Sequence, residues 1–412
     1  MTWPVAAAGT VSVPLLAAAG LAALPSRRVV AWVSVAGAAV ALGCAAFLPW
    51  TMAEPGDALL TDGLAAHLAI LAGLVGLITA WAERHAARRR PAVLLLQLGL
   101  VQLALLSDDV GLAWTAFAAV AMLTAGWRAG PGLLPTAAGV LLALFGTVLL
   151  HVAAVPVPDP GWTGLRWTGL AAAPGFQGGV LSLAFLLLLA GYGAMAVLAP
   201  RQAGPGGAAA GVLLPIVAFS VVLRLRGVMA ANADAVAPGP PLLAFGMGAL
   251  LLGALGVWRR GRLTAASILG HNGIAAVAFG LGGPAATFAG LLHLTAHSLA
   301  HAALRRSLPA TPLAILLVAL AGLPPFALFG SEALILTEAV HSLPWLALLF
   351  GLGLLALAGA LVVRLRERPG PAAEPSSAAF AWIWLPVAAL LGLGVAMPAG
   401  VAAWFRAVAA TP

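Results

Sequence analysis

The chain contains no lysine, a single cysteine and few charged residues of any kind. The lone Cys44 can form neither an internal disulfide nor a cysteine-ligated metal cluster. Only 8% of the 412 residues are charged and 62% are hydrophobic, a balance that excludes an ordinary soluble domain. The sequence has no Cys-x-x-Cys pair, phosphate-binding loop or dinucleotide-binding motif. It therefore predicts no redox centre and no cofactor in this chain.

All twenty basic residues are arginines, and they give the chain a net charge of +8. Most of them lie at the ends of apolar segments, where the positive-inside pattern of membrane proteins accounts for them. The predicted partner is therefore a lipid bilayer, and no nucleic acid is expected.

Apolar segments separated by Arg, Pro, Gly or Asp predict an all-α polytopic membrane protein with about fourteen transmembrane helices. The predicted spans are 4–24, 29–50, 63–82, 91–107, 110–126, 133–155, 178–198, 207–226, 240–258, 263–282, 284–303, 312–339, 343–365 and 379–405. No segment resembles a separate domain, so residues 1–412 are predicted to form a single membrane domain.

The arginines concentrate in the odd-numbered connections between these spans. The exceptions are Arg166, Arg224, Arg226 and Arg406, and we expect Arg224 and Arg226 to pair with Asp234 or with a neighbouring subunit. Since arginine marks the cytoplasmic side, the pattern predicts an even number of spans in a bacterial inner (cytoplasmic) membrane. Both termini would then lie on the non-cytoplasmic side.

Two predicted spans are interrupted by proline, the seventh near Pro200 and the twelfth at Pro324 and Pro325. A helical backbone cannot pass through such a segment intact. Discontinuous helices in corresponding places indicate inverted repeats around a transport site near the middle of the membrane.

Three histidines follow one another at four-residue intervals in residues 291–301, LLHLTAHSLAH. Side chains at this spacing share one helix face, so His293, His297 and His301 would form a ladder about 12 Å long. His271 lies on the preceding span. Ionisable groups within a membrane usually mark an ion or proton route, and histidine titrates near neutral pH.

Structural roles remain open for these residues. The histidines could simply bond to neighbouring backbone, Ser or Thr. A metal site is not predicted, because no carboxylate or cysteine stands at a ligand spacing from the trio. Glu332 follows Ser331 just after the interruption of the twelfth span, where the pair could serve either as a helix N-cap or in proton transfer.

Several segments resemble the antiporter-like subunits of complex I and of cation/proton antiporter complexes. The resembling segments are residues 270–283 (GHNGIAAVAFGLGG), 291–301, 321–332 (AGLPPFALFGSE) and, more weakly, 110–114 (VGLAW) and 191–193 (GYG). The branch that the chain resembles most is the large membrane subunit of hydrogenase-4 and formate hydrogenlyase, of the component F type. The likeness runs through roughly residues 60–365 and is strongest in the tenth to twelfth spans.

The resemblance implies fourteen helices with two inverted five-helix repeats, spans four to eight and nine to thirteen, in which the seventh and twelfth are discontinuous. Here these repeats would cover residues 91–226, the degenerate one, and residues 240–365. The family places a glutamate where this chain has Ala118 and a lysine where it has Met195. Arginine would not replace that lysine functionally, because it does not release its proton at an accessible pH.

The sequence thus leads to three hypotheses. In the first, the chain is a proton-translocating subunit of a redox-driven complex of the hydrogenase-4 or NADH:quinone oxidoreductase type, with membrane and redox subunits as partners. Its path would run through His271, His293, His297 and His301 to Glu332. In the second, the chain has lost conduction and is a structural or docking subunit. In the third, it is a partner in inorganic-carbon or cation uptake.

Overall fold

The structure is a computed structural model, and its described residues form mainly α-helices, with a short 3-10 helix at Leu48–Trp50. It describes residues 3–21, 24, 26–51, 59–84, 89–125, 133–154, 165–172, 175–198, 207–259, 262–304, 308–366 and 382–410. These residues form two compact units that divide between Pro238 and Gly239.

The first unit contains nine helices within its described residues. They are α1 (Trp3–Gly20), α2 (Arg27–Ala46), α3 (Gly63–Ala82), α4 (Arg89–Leu106), α5 (Val110–Ala125), α6 (Leu133–Ala154), α7 (Trp167–Ala172), α8 (Gly178–Leu198) and α9 (Gly207–Ala230).

The second unit contains eight helices within its described residues. They are α10 (Gly239–Trp258), α11 (Leu263–Leu281), α12 (Gly283–Ala303), α13 (Ala310–Leu320), α14 (Ala327–Ser342), α15 (Pro344–Arg366), α16 (Trp384–Val395) and α17 (Ala399–Ala410). The boundary between the units falls between the two predicted repeats, which themselves stay predictions.

The protein is an all-α polytopic membrane protein. Among the described residues, eight helices are long and apolar enough to cross a membrane, or nine if α16 and α17, which meet at 81°, form one bent span. This is fewer than the fourteen predicted spans, because several of the others are shorter apolar helices. The 21-residue α12 has the length of a span, but its histidines lower its hydropathy.

The break in the twelfth predicted span lies where the sequence places it. Helix α13 ends at Leu320, and α14 begins at Ala327. Gly322 lies between them in the left-handed region, at φ 64°, a conformation that glycine adopts without a steric penalty. The two prolines that follow lack the backbone N–H needed to continue the helix. The predicted break at Pro200 lies outside the described residues, and α8 is described as far as Leu198.

Close backbone approach through glycine holds α10 and α11 together. A Cβ atom on Gly273 would run into the backbone nitrogen of Leu250, and one on Gly253 into the backbone of Gly270. Small residues at such crossings are typical of membrane helices, whose association depends on tight packing rather than on a hydrophobic driving force. The packing buries almost all of α11, the helix that carries His271.

We expect Gly273→Ala to destabilise the second unit by about 1–3 kcal/mol, because the added methyl group must push two backbones apart. Gly248→Ala is the matched control, since a Cβ on that glycine of α10 meets nothing within 4 Å. Both changes raise helix propensity equally, so the difference between their thermal unfolding temperatures in detergent isolates the packing effect. Equal unfolding temperatures would contradict the close packing of α10 on α11.

Candidate functional site: a buried histidine cluster

The four histidines form one compact buried cluster. Each of the four side chains is at most 1% exposed. The ring of His271, from α11, lies 5.3 Å from that of His293, 5.8 Å from that of His297 and 5.5 Å from that of His301, measured between centroids. The three residues of α12 thus form the predicted ladder, but His271 packs against the middle of that ladder rather than at one end.

A directed hydrogen-bond chain links α11, α12 and α14. Nδ1 of His271 lies 3.2 Å from Nε2 of His293, whose Nδ1 lies 2.9 Å from Oγ of Ser331. The Ser331 hydroxyl donates its one proton to the backbone oxygen of Leu328, 2.8 Å away. Its oxygen can therefore only accept from His293, which assigns the proton of a neutral His293 to Nδ1. Nε2 of His293 then accepts from Nδ1–H of His271.

The far end of the ladder has its own fixed partners. Nδ1–H of His301 donates to the backbone oxygen of His297 at 2.7 Å, since a carbonyl can only accept. Nε2 of the neutral ring then accepts from the Ser267 hydroxyl, 3.0 Å away. Ser267 was not among the predicted site residues, although it stands four residues before His271 on α11 and so on the same helix face.

His297 is held differently from the other three histidines. Neither of its ring nitrogens has a hydrogen-bond partner in the part of the chain that the structure describes. Its ring centroid lies 5.6 Å from that of His293 and 5.7 Å from that of His301. The His297 ring therefore stands between the two bonded groups of the cluster without a hydrogen bond to either.

Glu332 reaches the cluster from the second turn of α14. The helix begins at Ala327 with Phe326 as its N-cap, so of the two roles left open by the sequence, the N-cap role of Ser331 and Glu332 is wrong. A Cβ atom on Gly322 would overlap the Glu332 carboxylate, so the carboxylate occupies the space left by the missing side chain.

One nitrogen of His271, one nitrogen of His293 and one carboxylate oxygen of Glu332 all lie within 4.8 Å of one another. No metal site was predicted from the sequence, because no carboxylate or cysteine stands at a ligand spacing from the three histidines of one helix. Three different helices supply these atoms, and spacing along the chain gives no sign of that convergence.

In the first unit, the two positions at which the resemblance implies charged residues are apolar. Met195 in α8 is fully buried, and Ala118 in α5 is half-buried. Beside them, the rings of Phe117 and Tyr192 pack with centroids 4.3 Å apart. Neither Met195 nor Ala118 can bind or release a proton, so these two positions carry none of the acid–lysine chemistry that the resemblance associates with them.

A charged pair lies elsewhere in the first unit. Arg224 binds Asp62 through two hydrogen bonds of 2.7 and 2.9 Å, and its guanidinium carbon lies 5.8 Å from the Trp167 ring centroid. Asp62 also accepts a hydrogen bond from the backbone nitrogen of Ala65 as the N-cap of α3. Of the two partners expected for Arg224, Asp234 is wrong, because the guanidinium binds Asp62, which is 162 residues away in sequence.

Known proteins share this fold along nearly the whole chain. Similar chains, each covered to at least 96%, occur in respiratory complex I from Thermus thermophilus (TM-score 0.79, 22% identity), in the Mrp complex from Dietzia sp. DQ12-45-1b (0.76, 18%) and in the archaeal membrane-bound sulfane sulfur reductase (0.78, 16%). Each comparison covers 98% of this chain. The fold is that of the antiporter-like membrane subunits.

The sequence is 28% identical over 470 aligned residues to the Hydrogenase-4 component F homolog of Methylacidiphilum infernorum (isolate V4), covering 97% of this chain and 98% of that protein. No protein-family model matches the chain. The chain is thus similar along nearly its whole length to the antiporter-like membrane subunits of complex I and Mrp complexes, and the resemblance found in the sequence is confirmed.

We expect Ser331→Ala to destabilise the protein by about 1–3 kcal/mol, because Nδ1–H of His293 would lose its acceptor in a buried place. Ser342→Ala is the control on the same helix, since the exposed Ser342 hydroxyl bonds only to the backbone of Glu338. Thermal unfolding in detergent measures both variants. A Ser331→Ala protein as stable as Ser342→Ala would argue against the hydrogen bond that orients His293.

Proposed function

We propose that this chain is a proton-translocating, antiporter-like membrane subunit of a redox-driven complex, of the hydrogenase-4 or NADH:quinone oxidoreductase type. The proton path runs through its second unit, from His271, His293, His297 and His301 to Glu332. The observation that carries the proposal is the buried chain of hydrogen bonds from His271 through His293 to Ser331, which ends beside Glu332.

The direction of these hydrogen bonds supports proton transfer. A proton that arrives on Nε2 of His271 allows Nδ1 of that ring to pass its own proton to His293. His293 can in turn release the proton on its Nδ1 toward Ser331 and the neighbouring carboxylate. After the transfer, the hydrogen bonds from His271 to Ser331 point in the opposite direction. Each ring must therefore turn or exchange its proton before the next transfer.

His297 would connect the two bonded groups. His301 and Ser267 are hydrogen-bonded to each other and not to His293, so a proton that moves between the two groups needs an intermediate carrier. The His297 ring is adjacent to both groups and has no hydrogen bond to break in the described part of the chain. We propose that the His297 ring rotates and so carries a proton from one group to the other.

The finer architecture belongs to the same proposal. We assign fourteen membrane-spanning helices to one membrane domain, residues 1–412, with inverted repeats at 91–226 and 240–365 and discontinuous seventh and twelfth spans. The chain would lie in the bacterial inner membrane with both termini on the non-cytoplasmic side. Support comes from the arginine pattern and from the break between α13 and α14.

Partner subunits would supply the electron transfer. The similar solved chains belong to a respiratory complex I, an Mrp complex and a respiratory sulfane sulfur reductase, so we propose that this chain also assembles with other membrane and redox subunits. In this arrangement the chain itself needs no cofactor, and energy reaches the histidine cluster through movements of neighbouring charged or polar groups.

A second candidate is a subunit that supports the complex without conducting protons. The buried Met195 and the half-buried Ala118 favour it, because the first unit lacks the acid and the lysine that the family has at these positions. In that case the histidine cluster would only stabilise the packing of α11, α12 and α14.

We expect His297→Ala to reduce proton translocation by more than about tenfold, since alanine cannot carry a proton between the two bonded groups. The measurement is acidification of inverted membrane vesicles, with subunit assembly checked on a native gel. His341→Ala is the control, because His341 is exposed at the end of α14. Translocation that is unchanged in an assembled His297→Ala complex would favour the supporting subunit.

Purification in mild detergent separates the proposed complex from other uses of the same fold. We expect hydrogenase or quinone-oxidoreductase subunits to co-purify with the chain and to be identified by mass spectrometry. A partner of inorganic-carbon or cation uptake in their place would overturn the redox-driven assembly and favour the third hypothesis. A sample washed at high salt serves as the control, because it removes contaminants bound only by charge.

A further inference from the structure

We infer that His271, His293 and Glu332 form a binding site for one divalent transition-metal ion of the zinc class. We call these three residues the His-His-Glu cluster. Their three candidate ligand atoms lie within 4.8 Å of one another, and they come from three helices, α11, α12 and α14. A bound ion would join α14, which begins just after the break, to α11 and to the histidine ladder of α12.

The spacing of the two imidazoles fits a shared ion. Nδ1 of His271 and Nε2 of His293 are 3.2 Å apart. Two nitrogens bound to one tetrahedral Zn²⁺ at 2.0–2.1 Å are about 3.3 Å from each other. An ion can therefore replace the proton that the rings share with little movement of either ring. The Glu332 side chain supplies the third ligand through a small rotation at the end of the side chain.

The surroundings of His293 prepare it as a ligand. Metal-binding histidines almost always donate the proton of their other ring nitrogen to an acceptor, which fixes the tautomer and the orientation of the ring. Ser331 is such an acceptor, because its own proton is committed to Leu328. Nε2 of His293 is therefore the unprotonated nitrogen, and it points at His271. The His271 ring in turn lies near the backbone of Leu320, whose carbonyl can accept Nε2–H once Nδ1 holds the ion.

The charge of the Glu332 carboxylate and the nearby His297 ring also favour a bound cation. No hydrogen bond or ion pair joins the Glu332 carboxylate to the described part of the chain. A divalent cation would neutralise it. The fourth position can be filled by His297, whose ring nitrogens have no partner among the described residues and whose centroid lies within 6 Å of both other rings. Two or three imidazoles and one carboxylate select Zn²⁺ or Co²⁺ over Mg²⁺ and Ca²⁺, which prefer oxygen.

Occupation of the site has a consequence that rests on the proposed function. The ion would hold the same nitrogens that pass the proton from His271 to His293, so conduction and metal binding exclude each other. Submillimolar zinc would therefore inhibit proton translocation, and a chelator would restore it.

The binding test uses Co²⁺ as a spectroscopic probe of the full chain, purified in detergent within its complex and carrying an affinity tag without histidine. We expect one equivalent of Co²⁺ per chain, visible-range absorption bands of tetrahedral cobalt, and displacement by one equivalent of Zn²⁺. Glu332→Gln and His293→Gln should each weaken binding by more than about tenfold, since each removes one ligand.

Two matched controls lie on the same helix as Glu332. Glu338→Gln repeats the chemical change one to two turns further along α14, and His341→Gln removes an exposed imidazole from its end. Both should leave cobalt binding unchanged. Wild-type protein without saturable cobalt binding, or binding equally strong in Glu332→Gln, would overturn the site. If His293→Gln does not fold, Glu332→Gln still decides, because glutamine has nearly the shape of glutamate.

Binding and transport are measured separately, so the two proposals can fail separately. If the protein binds cobalt but moves no protons, the metal site is supported and the proposed function is contradicted. If the protein moves protons and binds cobalt, yet is insensitive to zinc in vesicles, the site is supported and the predicted inhibition by zinc is contradicted.

Discussion

The hydrogen bond between His293 and Ser331 determines the polarity of the whole histidine cluster. Ser331 has one proton and gives it to the backbone of Leu328, so it can only accept from His293. The proton of a neutral His293 is therefore on Nδ1, so its Nε2 accepts the next hydrogen bond from Nδ1–H of His271. A neutral His271 then has its lone pair on Nε2. His271, His293 and Ser331 are fully buried, and hydrogen bonds that follow one another in such a low-dielectric environment polarise and strengthen one another. Proton transfer and metal binding as proposed both use Nδ1 of His271 and Nε2 of His293.

The two compact units differ in chemistry. The second unit holds four buried imidazoles and a carboxylate beside a broken helix. The first unit has Met195 and Ala118 at the family's charged positions, and its Arg224 binds Asp62 at the N-terminus of α3. A fixed ion pair that also caps a helix is suited to stability rather than to charge transfer. The proposed path therefore uses one unit only.

Local spacing predicted a large part of the fold and of the site. The alternation of apolar segments and arginines located nearly every helix within a few residues, and the four-residue spacing placed His293, His297 and His301 on one face of α12. The proline pair located the break before α14. Contacts between distant segments could not be predicted in this way. The central position of His271, the approach of Glu332 and the pairing of Arg224 with Asp62 depend on which helices pack together, and the spacing of residues along one helix does not contain that information.

Gly322 ties the backbone of the break to the chemistry of the cluster. Its left-handed conformation forms the turn after α13, and the space beside it is filled by the Glu332 carboxylate. Any larger residue at this position would be strained in its backbone and would also displace the carboxylate. The turn and the acid can therefore not diverge independently in evolution. A lineage that replaced this glycine would lose the acid's position even while the glutamate codon was retained.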